Sequence, residues 1–289
     1  MITNPNVKIN LGLNILRKRE DGFHDLETLF VPYFGITDTL EIIAGDDYSR
    51  TSAAIFGKYA PEMLAQGISE DGSLMITIAR AEGVDWDPLK DLTAKAYYVL
   101  AEDFKMPPVK IFLEKTSPVG AGLGGGSADA AFALKMLNEL CELGLSDQQL
   151  AAYAARLGSD CAFFIYNKPM IGEGRGEILT DIAWELPFSC HPERSEGSFV
   201  LQVLAPEGVS VSTKDAYAGI RPHLPEVSLR DALARPVEEW ADVLVNDFEE
   251  TVFAKYPELA AIKRSLYDSG AVYASMSGSG SALFALYRK

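Results

Sequence analysis

The sequence predicts an α+β fold with two domains. Segments with strand periodicity dominate the first part of the chain, and helical and strand periodicities are mixed in the second part. Between them a glycine-rich loop runs directly into an alanine-rich helix. The chain has 289 residues, which is enough for two modest domains with cores of their own. We expect an N-terminal domain of residues 1–160 and a C-terminal domain of residues 161–289.

The N-terminal part is rich in strands. Between Val7 and Ile15, apolar side chains alternate with polar ones, which predicts a half-buried strand with Lys8 and Asn10 on its polar face. Asp21-Gly22 is a turn signal that precedes a second extended segment. Further strands are predicted at residues 38–43, 74–79 and 109–115.

The remaining helices, strands and loops are predicted from apolar periodicity and from residues that cap or interrupt regular structure. Apolar spacing over residues 92–104 predicts a helix, and Asp147 is expected to cap another that ends near Gly158. The segment 184–198 is polar, aperiodic and contains Pro and Gly, which indicates an irregular exposed loop. The C-terminal part is predicted to contain strands at 199–205 and 271–275 and helices at 236–255 and 257–267.

The glycine-rich loop is the strongest functional signal. Five glycines lie between Gly120 and Gly126, followed at once by the alanine-rich helix. Without Cβ atoms a ligand can approach the backbone, and the loop N–H groups can converge on an anion at the positive end of the helix. This pattern predicts a phosphate-binding loop.

Two other phosphate loops fit less well. The loop satisfies G-x-G-x-x-G, but the preceding strand carries charges at alternate positions, unlike a central parallel strand. The acidic residues about 20 positions on, Glu139 and Glu142, fall in or at the end of a helix rather than after a strand. A Walker loop is excluded because no Gly-Lys-Ser/Thr follows the glycines.

Charge and cysteine content narrow the possible partners. The net charge of −15 argues against nucleic acid. Cys141, Cys161 and Cys190 are odd in number and widely spaced, which suggests neither a disulfide framework nor a zinc site. The first residues lack the regions of a signal peptide, and no apolar run reaches the length of a spanning helix. We therefore expect a cytoplasmic protein without a membrane partner.

Three further pieces accompany the loop. They are the Lys8/Asn10 strand face, the segment Leu157-Gly158-Ser159-Asp160, and a second glycine-rich turn, Ser277-Gly278-Ser279-Gly280. Asp160 follows a helix stop and precedes an apolar run, so a simple helix-capping role is the alternative to a catalytic one.

Together these pieces resemble the superfamily of galactokinase, homoserine kinase, mevalonate kinase and phosphomevalonate kinase, through the form Pro-x-x-x-Gly-Leu-Gly-Gly-Gly-Ser at residues 118–127. Within it, the chain is similar to the branch that phosphorylates a diphosphocytidyl methylerythritol. Motifs in the order of this branch span nearly the whole chain: Lys8–Leu11, Asp21–His24, the loop, Leu157–Asp160, Asn246–Glu249 and Ser277–Gly280.

The resemblance implies transfer of the γ-phosphoryl group of ATP to the 2-hydroxyl of the methylerythritol moiety. It also implies an N-terminal domain like ribosomal protein S5 domain 2 and a ferredoxin-like C-terminal domain. Asp160 is the implied catalytic base and Lys8 the adjacent cation. Phe23, His24 and Tyr217 are expected to meet the cytosine, and Asn10 the transferred phosphate. Phe23 stands where this branch more often has tyrosine.

The resemblance also implies the cofactors. ATP is expected as co-substrate and Mg²⁺ as its counterion, with protein ligands left open and Ser127 only a candidate. The acceptor is a cytidine diphosphate sugar-alcohol, and the protein is expected to be a monomer or weak homodimer. The residues implied in ATP binding are Lys115, Pro118, Gly120, Ala121, Gly122, Leu123, Gly124, Gly125, Gly126 and Ser127.

Three alternatives remain beside this reading. A different small-molecule kinase of the superfamily is disfavoured by Asp-Gly-Phe-His at residues 21–24, which belongs to the cytidine pocket. A nucleotide-binding protein without turnover is disfavoured because both Lys8 and Asp160 are present. The third alternative is a dinucleotide oxidoreductase, which the features of the strand before the glycine loop and of the helix after it disfavour.

Overall fold

The computed structural model of the chain describes residues 1–45, 57–194 and 197–289. Helices and strands are mixed along the chain, which confirms the α+β class. The chain forms two units, each assembled from several segments. The first unit comprises Met1–Val7, Ile36–Val119 and Gly124–Asn167, and the second comprises Lys8–Gly35, Gly120–Leu123 and Lys168–Lys289. The domain boundary at residue 160 stays a prediction.

The strands and helices are numbered in chain order. The strands are β1 (Ile2–Thr3), β2 (Asn6–Lys18), β3 (His24–Thr37), β4 (Thr39–Ala44), β5 (Leu64–Ile68), β6 (Leu74–Ala79), β7 (Val109–Glu114), β8 (Met170–Gly174), β9 (Ile178–Asp181), β10 (Phe199–Leu204), β11 (Tyr273–Met276) and β12 (Leu283–Arg288). The α-helices are α1 (Leu92–Ala101), α2 (Gly125–Leu140), α3 (Asp147–Leu157), α4 (Cys161–Tyr166), α5 (Thr213–Ala218), α6 (Leu229–Leu233), α7 (Trp240–Val243), α8 (Phe248–Lys255) and α9 (Pro257–Asp268). Short 3₁₀ turns lie at Pro61–Met63, Pro88–Lys90 and Val237–Glu239.

The first unit contains a five-stranded sheet in the order β1-β4-β7-β6-β5. Strands β6 and β7 are parallel, with Ile76 opposite Ile111, and the remaining pairs are antiparallel. A parallel pair needs a crossover connection, and α1 lies in that connection. Helix α2 packs against α1 and β4, and its small buried residues, such as Ala130 and Ala131, allow a close approach. The chain therefore passes from β7 through the glycine loop into a firmly packed helix.

The second unit contains two sheets, in the orders β2-β3-β8-β9 and β10-β12-β11. Strands β2 and β3 are joined by the predicted turn, where Asp21 Oδ1 accepts a hydrogen bond from Phe23 N at 3.1 Å. Side chains from both sheets and the neighbouring helices share a core, which fixes the hairpin and the C-terminal strands in one packing arrangement. Its buried members are Leu13, Ile15, Leu26, Val211, Ala216, Phe248, Val252, Leu259, Met276 and Leu283.

Strand β2 differs from the prediction in its burial. The sequence predicts a half-buried strand, but both faces are buried from Asn6 through Ile15. Lys8 is only 3% exposed and Asn10 only 2%. The alternation correctly separates the two faces, but the polar face is covered by protein, where its groups form hydrogen bonds with protein partners.

The helix predicted over 236–255 is interrupted. Its residues form a 3₁₀ turn, α7 and α8, with residues 244–247 outside the helices. Leu13 N donates to Val245 O at 2.8 Å, and Asp247 N donates to Leu13 O at 2.9 Å. Backbone bonds to β2 therefore replace the helical bonds that these residues would otherwise make, so the prediction of one helix was wrong.

The segment 184–198 is irregular, but it is only partly exposed. Phe188 is 3% exposed and forms isolated bridges with Gly197 and Phe199. Phe34 N donates to Cys190 O at 3.0 Å, and the His191 ring stacks on Phe34 with centroids 4.0 Å apart. The prediction of an exposed loop was wrong for this middle part, because the apolar side chain of Phe188 is buried. Residues 195 and 196 of this segment lie outside the described residues.

Helix α3 begins with a capping box. The Ser146 side chain accepts from Gln149 N, and the Gln149 side chain accepts from Ser146 N. Asp147, the predicted cap, is instead the first helical residue, where its charge suits the helix dipole. None of the helices in the described ranges combines the length and apolar character needed to cross a bilayer.

Candidate active site

The glycine loop, Gly120–Ser127, follows β7 and leads into α2. Gly120–Leu123 belongs to the second unit, and Gly124–Ser127 belongs to the first. Gly124 occupies the N-cap position with φ of +70°, and α2 begins at Gly125. The N–H groups of the first helical turn are thus presented at the end of the loop, as expected for an anion site.

In the second unit, Lys8 is bound to the loop. Its ammonium donates to Gly122 O at 2.8 Å and to Asn10 Oδ1, and its backbone N donates to Leu123 O at 2.9 Å. A buried ammonium held in this way places a positive charge beside the loop backbone. The two residues that the sequence analysis paired on one strand face lie together, as their spacing predicts.

Asn10 is held by Thr28, which carried no sequence signal of its own, and by Ser277 of the second glycine-rich turn. Its Nδ2 donates to Thr28 Oγ1 at 3.1 Å, and the Thr28 hydroxyl donates to Gly12 O. Asn10 N donates to Ser277 Oγ at 3.3 Å. Thr28 is fully buried in β3. The available signal was the hairpin at Asp21-Gly22, which sets β3 beside β2, but the sequence does not fix which residue faces Asn10.

The second glycine-rich turn lies against the first half of the loop. Ser277 Oγ donates to Gly122 O at 3.0 Å, and Ala282 N donates to Ala121 O at 3.0 Å. A Cβ atom on Gly122 would lie 2.1 Å from Ser277 O, and the φ of Gly122 is +74°. Both the contact and the backbone conformation therefore require glycine at this position.

The motif Asn246–Glu249 supports this second turn. Asn246 Nδ2 donates to Met276 O at 2.7 Å and to Gly278 O at 2.8 Å. Glu249 Oε1 accepts from Met276 N at 2.8 Å. Asn246 is 3% exposed, so it acts on the turn from inside the protein. These side chains hold the backbone around Ser277 in place.

In the first unit, the end of the loop meets the segment around Asp160. A Cβ atom on Gly158 would lie 3.8 Å from Ser127 Oγ, and Gly158 is followed closely by Cys161, the residue after Asp160. Burial raises the pKa of the Cys161 thiol to about 12, so this cysteine stays protonated and unreactive. A Cβ on Gly158 would lie 3.2 Å from the same sulfur. The end of the glycine loop and the segment Leu157–Asp160 are about thirty residues apart in sequence, and they are neighbours within one unit.

Asp160 stands at the N-cap position of α4 but does not cap it. Its side chain makes no hydrogen bond to the N–H groups of the first turn. The Ser159 hydroxyl donates to Asp160 Oδ1 at 3.2 Å, and the Asp160 residue is half-buried. The capping alternative therefore does not explain this residue, since the capping bond is missing.

Lys115 is placed differently from the expectation that it binds ATP. Its ammonium lies 2.5 Å from Asp38 Oδ2 and 2.6 Å from Asp129 Oδ2, and the residue is 6% exposed. The hydrogen-bond donors of the Lys115 ammonium are therefore engaged by these two carboxyl groups. This geometry is at odds with a direct contact to a phosphate, and neither carboxylate was identified from the sequence.

The three residues expected to meet the cytosine all lie in the second unit. His24 stacks on Tyr217, with ring centroids 4.8 Å apart and planes at 21°. Burial, followed by the charge of Lys18, lowers the pKa of His24, so the imidazole is neutral at neutral pH. Phe23 is 54% exposed, and the Arg175 guanidinium lies 5.0 Å from its ring centroid. Arg175 carried no sequence signal, because it sits in the turn between β8 and β9.

The side chains of the described residues offer no ready-made metal cage. In the ranges 1–45, 57–194 and 197–289, no group of three or more His, Cys, Asp and Glu side chains could hold a metal ion.

Two family models match the chain. The description of the first is GHMP kinases N terminal domain, at residues 91–168, and that of the second is GHMP kinases C terminal, at residues 229–289. The first match covers the glycine loop and Asp160, and the second covers the turn at Ser277. Both parts of the predicted two-domain kinase architecture are thus represented.

Named relatives and solved structures agree with these matches. The 4-diphosphocytidyl-2-C-methyl-D-erythritol kinase of Bacteroides fragilis is 45% identical over 287 residues, covering 99% of this chain and 92% of that protein. The enzyme of the same name from Azobacteroides pseudotrichonymphae is 40% identical, covering 100% of this chain and 94% of that protein.

A crystal structure of 4-(cytidine 5'-diphospho)-2C-methyl-D-erythritol kinase superposes with a TM-score of 0.72 at 28% identity, covering 99% of this chain and 90% of that one. The homoserine kinase of Cytophaga hutchinsonii shares the fold, with a TM-score of 0.62 at 17% identity, covering 99% of this chain and 86% of that one. The resemblance drawn from the sequence is confirmed. The chain belongs to the GHMP kinase family, as a small-molecule kinase on the branch of the 4-diphosphocytidyl-2-C-methyl-D-erythritol kinases.

Proposed function

We propose that the chain transfers the γ-phosphoryl group of ATP to the 2-hydroxyl of 4-diphosphocytidyl-2-C-methyl-D-erythritol, a step of the methylerythritol phosphate pathway to isoprenoid precursors. The observation that carries the proposal is the contact between the Lys8 ammonium and Gly122 O in the glycine loop. Phosphoryl transfer depends mainly on positioning and on neutralising charge. A buried cation fixed to a phosphate loop supplies both.

The ATP phosphates are proposed to bind the backbone of Gly120–Ser127. Three observations support this site: the loop is free of Cβ atoms at five positions, it opens α2 at the positive end of the helix, and its first half is braced by Ser277. Pro118 precedes the loop and restricts the backbone there.

The proposed base is Asp160. As the 2-hydroxyl oxygen attacks the γ-phosphorus, the bond to the β,γ-bridging oxygen breaks and ADP leaves, while the hydroxyl proton passes to the Asp160 carboxylate. Lys8 offsets the negative charge on the transferred group. Support comes from within each unit. In the second unit Lys8 is bonded to the loop at Gly122, and in the first unit Ser127 lies beside Gly158, two residues before Asp160.

The cytosine is proposed to bind at Phe23, His24 and Tyr217, with Asn10 toward the transferred phosphate. The His24–Tyr217 stack offers a flat aromatic surface, and the exposed ring of Phe23 offers a second. A neutral imidazole has one donor and one acceptor nitrogen, so it can recognise the hydrogen-bonding edge of a base. The assignment of Tyr217 rests on the resemblance and on this stack.

Mg²⁺ is proposed to accompany ATP, where it neutralises charge on the triphosphate. The residues fit a cation held mainly by phosphate oxygens and water, because the described residues contain no cluster of acidic ligands. Ser127, in the first turn of α2, is the candidate protein ligand.

The proposed partners are small molecules alone. The net charge of −15 opposes nucleic acid, since a polyanion would be repelled. The free cysteines Cys141, Cys161 and Cys190 suit the reducing cytoplasm. A monomer or weak homodimer is proposed.

A coupled ADP-release assay tests the proposal. The chain is supplied with ATP, Mg²⁺ and, in separate reactions, the diphosphocytidyl compound, mevalonate, homoserine and galactose. We expect turnover with the diphosphocytidyl compound only. Turnover with another acceptor would assign the chain to a different kinase activity, and ATP binding without any turnover would indicate a non-catalytic protein.

A further inference from the structure

Three ionisable side chains, those of Lys115, Asp38 and Asp129, form a buried cluster at the base of the glycine loop in the first unit. Lys115 and Ser117 precede the loop, and Asp129 lies in the first turns of α2, after the loop. Lys115 Nζ bonds Asp129 Oδ2 at 2.6 Å and Asp38 Oδ2 at 2.5 Å. The ammonium therefore connects the chain before the loop to the helix after it.

Asp38 holds the same stretch of backbone from the other side. Its Oδ1 accepts from Thr116 N and Ser117 N, both at 2.7 Å, and its Oδ2 accepts from Ser117 Oγ at 2.6 Å. Asp38 is 1% exposed. Four donors from three consecutive residues converge on one carboxylate, which fixes the direction in which the chain enters the loop.

Gly125, at the start of α2, packs directly onto this cluster. A Cβ atom there would lie 2.4 Å from Ser117 Oγ and 3.0 Å from Lys115 Nζ. The cluster thus touches the helix at two points, at Gly125 and at Asp129. Its shape sets how closely the two ends of the loop approach each other.

We propose that Lys115, Asp38 and Asp129 are positioning residues that close the base of the glycine loop and hold it in the form that binds ATP phosphates. This rests on the proposed function in one respect, the binding of ATP at the loop. Lys115 acts on the loop through the two carboxylates and makes no contact with ATP.

The cluster is closed off from solvent. Asp38 and Asp129 are each 1% exposed, and Lys115 is 6% exposed. Burial opposes the ionisation of Asp38, but the charge of Lys115 and the hydrogen bonds from Lys115 and Ser117 lower the pKa of Asp38. The cluster therefore acts on the loop from inside the protein, where hydrogen bonds to charged groups are strong.

The variant Asp38→Asn distinguishes two roles of Lys115, positioning of the loop and direct contact with ATP, because they predict opposite changes in ATP affinity. The experiment measures ATP affinity by isothermal titration calorimetry and the affinity for the diphosphocytidyl compound separately. If Lys115 is a positioning residue, the variant loses hold of residues 115–117, and ATP binding weakens about tenfold or more. If Lys115 contacts ATP directly, removal of a competing carboxylate leaves ATP binding equal or tighter, which overturns the proposal.

Asp129 tests the link between the cluster and α2. Asp129→Ala removes the oxygen that accepts from Lys115, so ATP affinity should fall by about tenfold, whereas Asp129→Asn keeps an acceptor oxygen and should lose less. Wild-type ATP affinity in a folded Asp129→Ala variant would overturn the proposal. In all variants the affinity for the diphosphocytidyl compound should change by less than about twofold.

The double variant Lys115→Met/Asp38→Asn covers the case in which a single change leaves an unpaired buried charge and prevents folding. It removes both charges together, which buried ion pairs tolerate better than the loss of one partner. Leu150→Ala, on α3 in the same unit, serves as the control for a general loss of stability. Weak ATP binding in the double variant with normal binding in Leu150→Ala supports the proposal. Wild-type ATP affinity in a folded double variant overturns it.

Measuring ATP affinity tests the cluster proposal independently of the proposed function. ATP affinity is measured without an acceptor, so it does not depend on the identity of the acceptor. Wild-type protein that binds ATP but does not phosphorylate the diphosphocytidyl compound would refute the proposed function and leave the cluster proposal standing.

Discussion

The ammonium of Lys8 donates a hydrogen bond of 2.8 Å to the carbonyl oxygen of Gly122. The same carbonyl accepts from Ser277 Oγ at 3.0 Å. The carbonyl oxygen of Gly122 thus accepts one hydrogen bond from the N-terminal strand and one from the C-terminal turn. The second unit therefore holds the first half of the phosphate loop through side chains that are far apart in sequence.

Gly122→Ala should destabilise the protein and weaken ATP binding. The added methyl would lie 2.1 Å from Ser277 O. Gly144→Ala is the matched control, because Gly144 has φ of +67° and nothing within 4 Å of its Cβ position. The control should cost about 1–2 kcal/mol for the left-handed backbone alone. Gly122→Ala should cost about 1–3 kcal/mol more, measured by urea unfolding. Equal losses in the two variants would refute the close approach of loop and turn.

Phe23→Ala should raise the KM for the diphosphocytidyl compound by about tenfold or more, because base stacking on an aromatic ring contributes about 1–3 kcal/mol. The KM for ATP should stay within about twofold, as Phe23 lies on the hairpin and not in the loop. Phe23→Tyr, which keeps the ring, should be near neutral. Steady-state kinetics with each substrate varied checks this. A rise in the KM for ATP alone would reverse the assignment of the two pockets.

The KM for the diphosphocytidyl compound should depend on pH through His24. Burial and Lys18 lower the pKa of this imidazole, so it is neutral at pH 7 and gains a proton as the pH falls through that lowered pKa. The imidazolium has no acceptor nitrogen, and recognition of the base is lost. The KM should be level above neutral pH and rise on the acid side. His24→Gln should remove this dependence, and the same rise in the variant would exclude His24 as its source.

The segment 184–198 should contribute to stability but not to turnover. Phe188→Ala empties a buried site and should cost about 3–5 kcal/mol. His191→Ala removes only the stack on Phe34 and should cost about 0.5–1.5 kcal/mol. Chemical unfolding measures both, and kcat should be unchanged at a temperature where the variants stay folded. A neutral Phe188→Ala would show that the segment is not docked.

The sequence was most informative where a local pattern determines local structure. The glycine loop, the strand Leu74–Ala79 and the pairing of Lys8 with Asn10 were predicted from spacing alone, and the structure places them accordingly. The family followed from six short motifs in order. These features depend on neighbours in sequence, which is why one sequence reveals them.

The features that could not be predicted from the sequence depend on partners that are distant along the chain. Residues 244–247 leave the helix because Leu13 bonds their backbone, and no local signal announces that bond. The roles of Asp38 and Asp129 arise from Lys115, which is 77 and 14 residues away respectively. The second face of β2 is buried by tertiary packing, although its residues are polar. In each case tertiary contacts override the local sequence pattern.

The catalytic role of Asp160 is the central claim, and Asp160→Asn tests it most directly. The measurement is single-turnover formation of the phosphorylated diphosphocytidyl product from bound ATP, together with the affinities for both substrates. Because the change removes the base but keeps the shape, the rate should fall by about 10² to 10⁴ while both affinities stay within about twofold. Ser159→Ala, which removes the neighbouring hydroxyl, should retain most of the rate. A wild-type rate in Asp160→Asn would contradict the account.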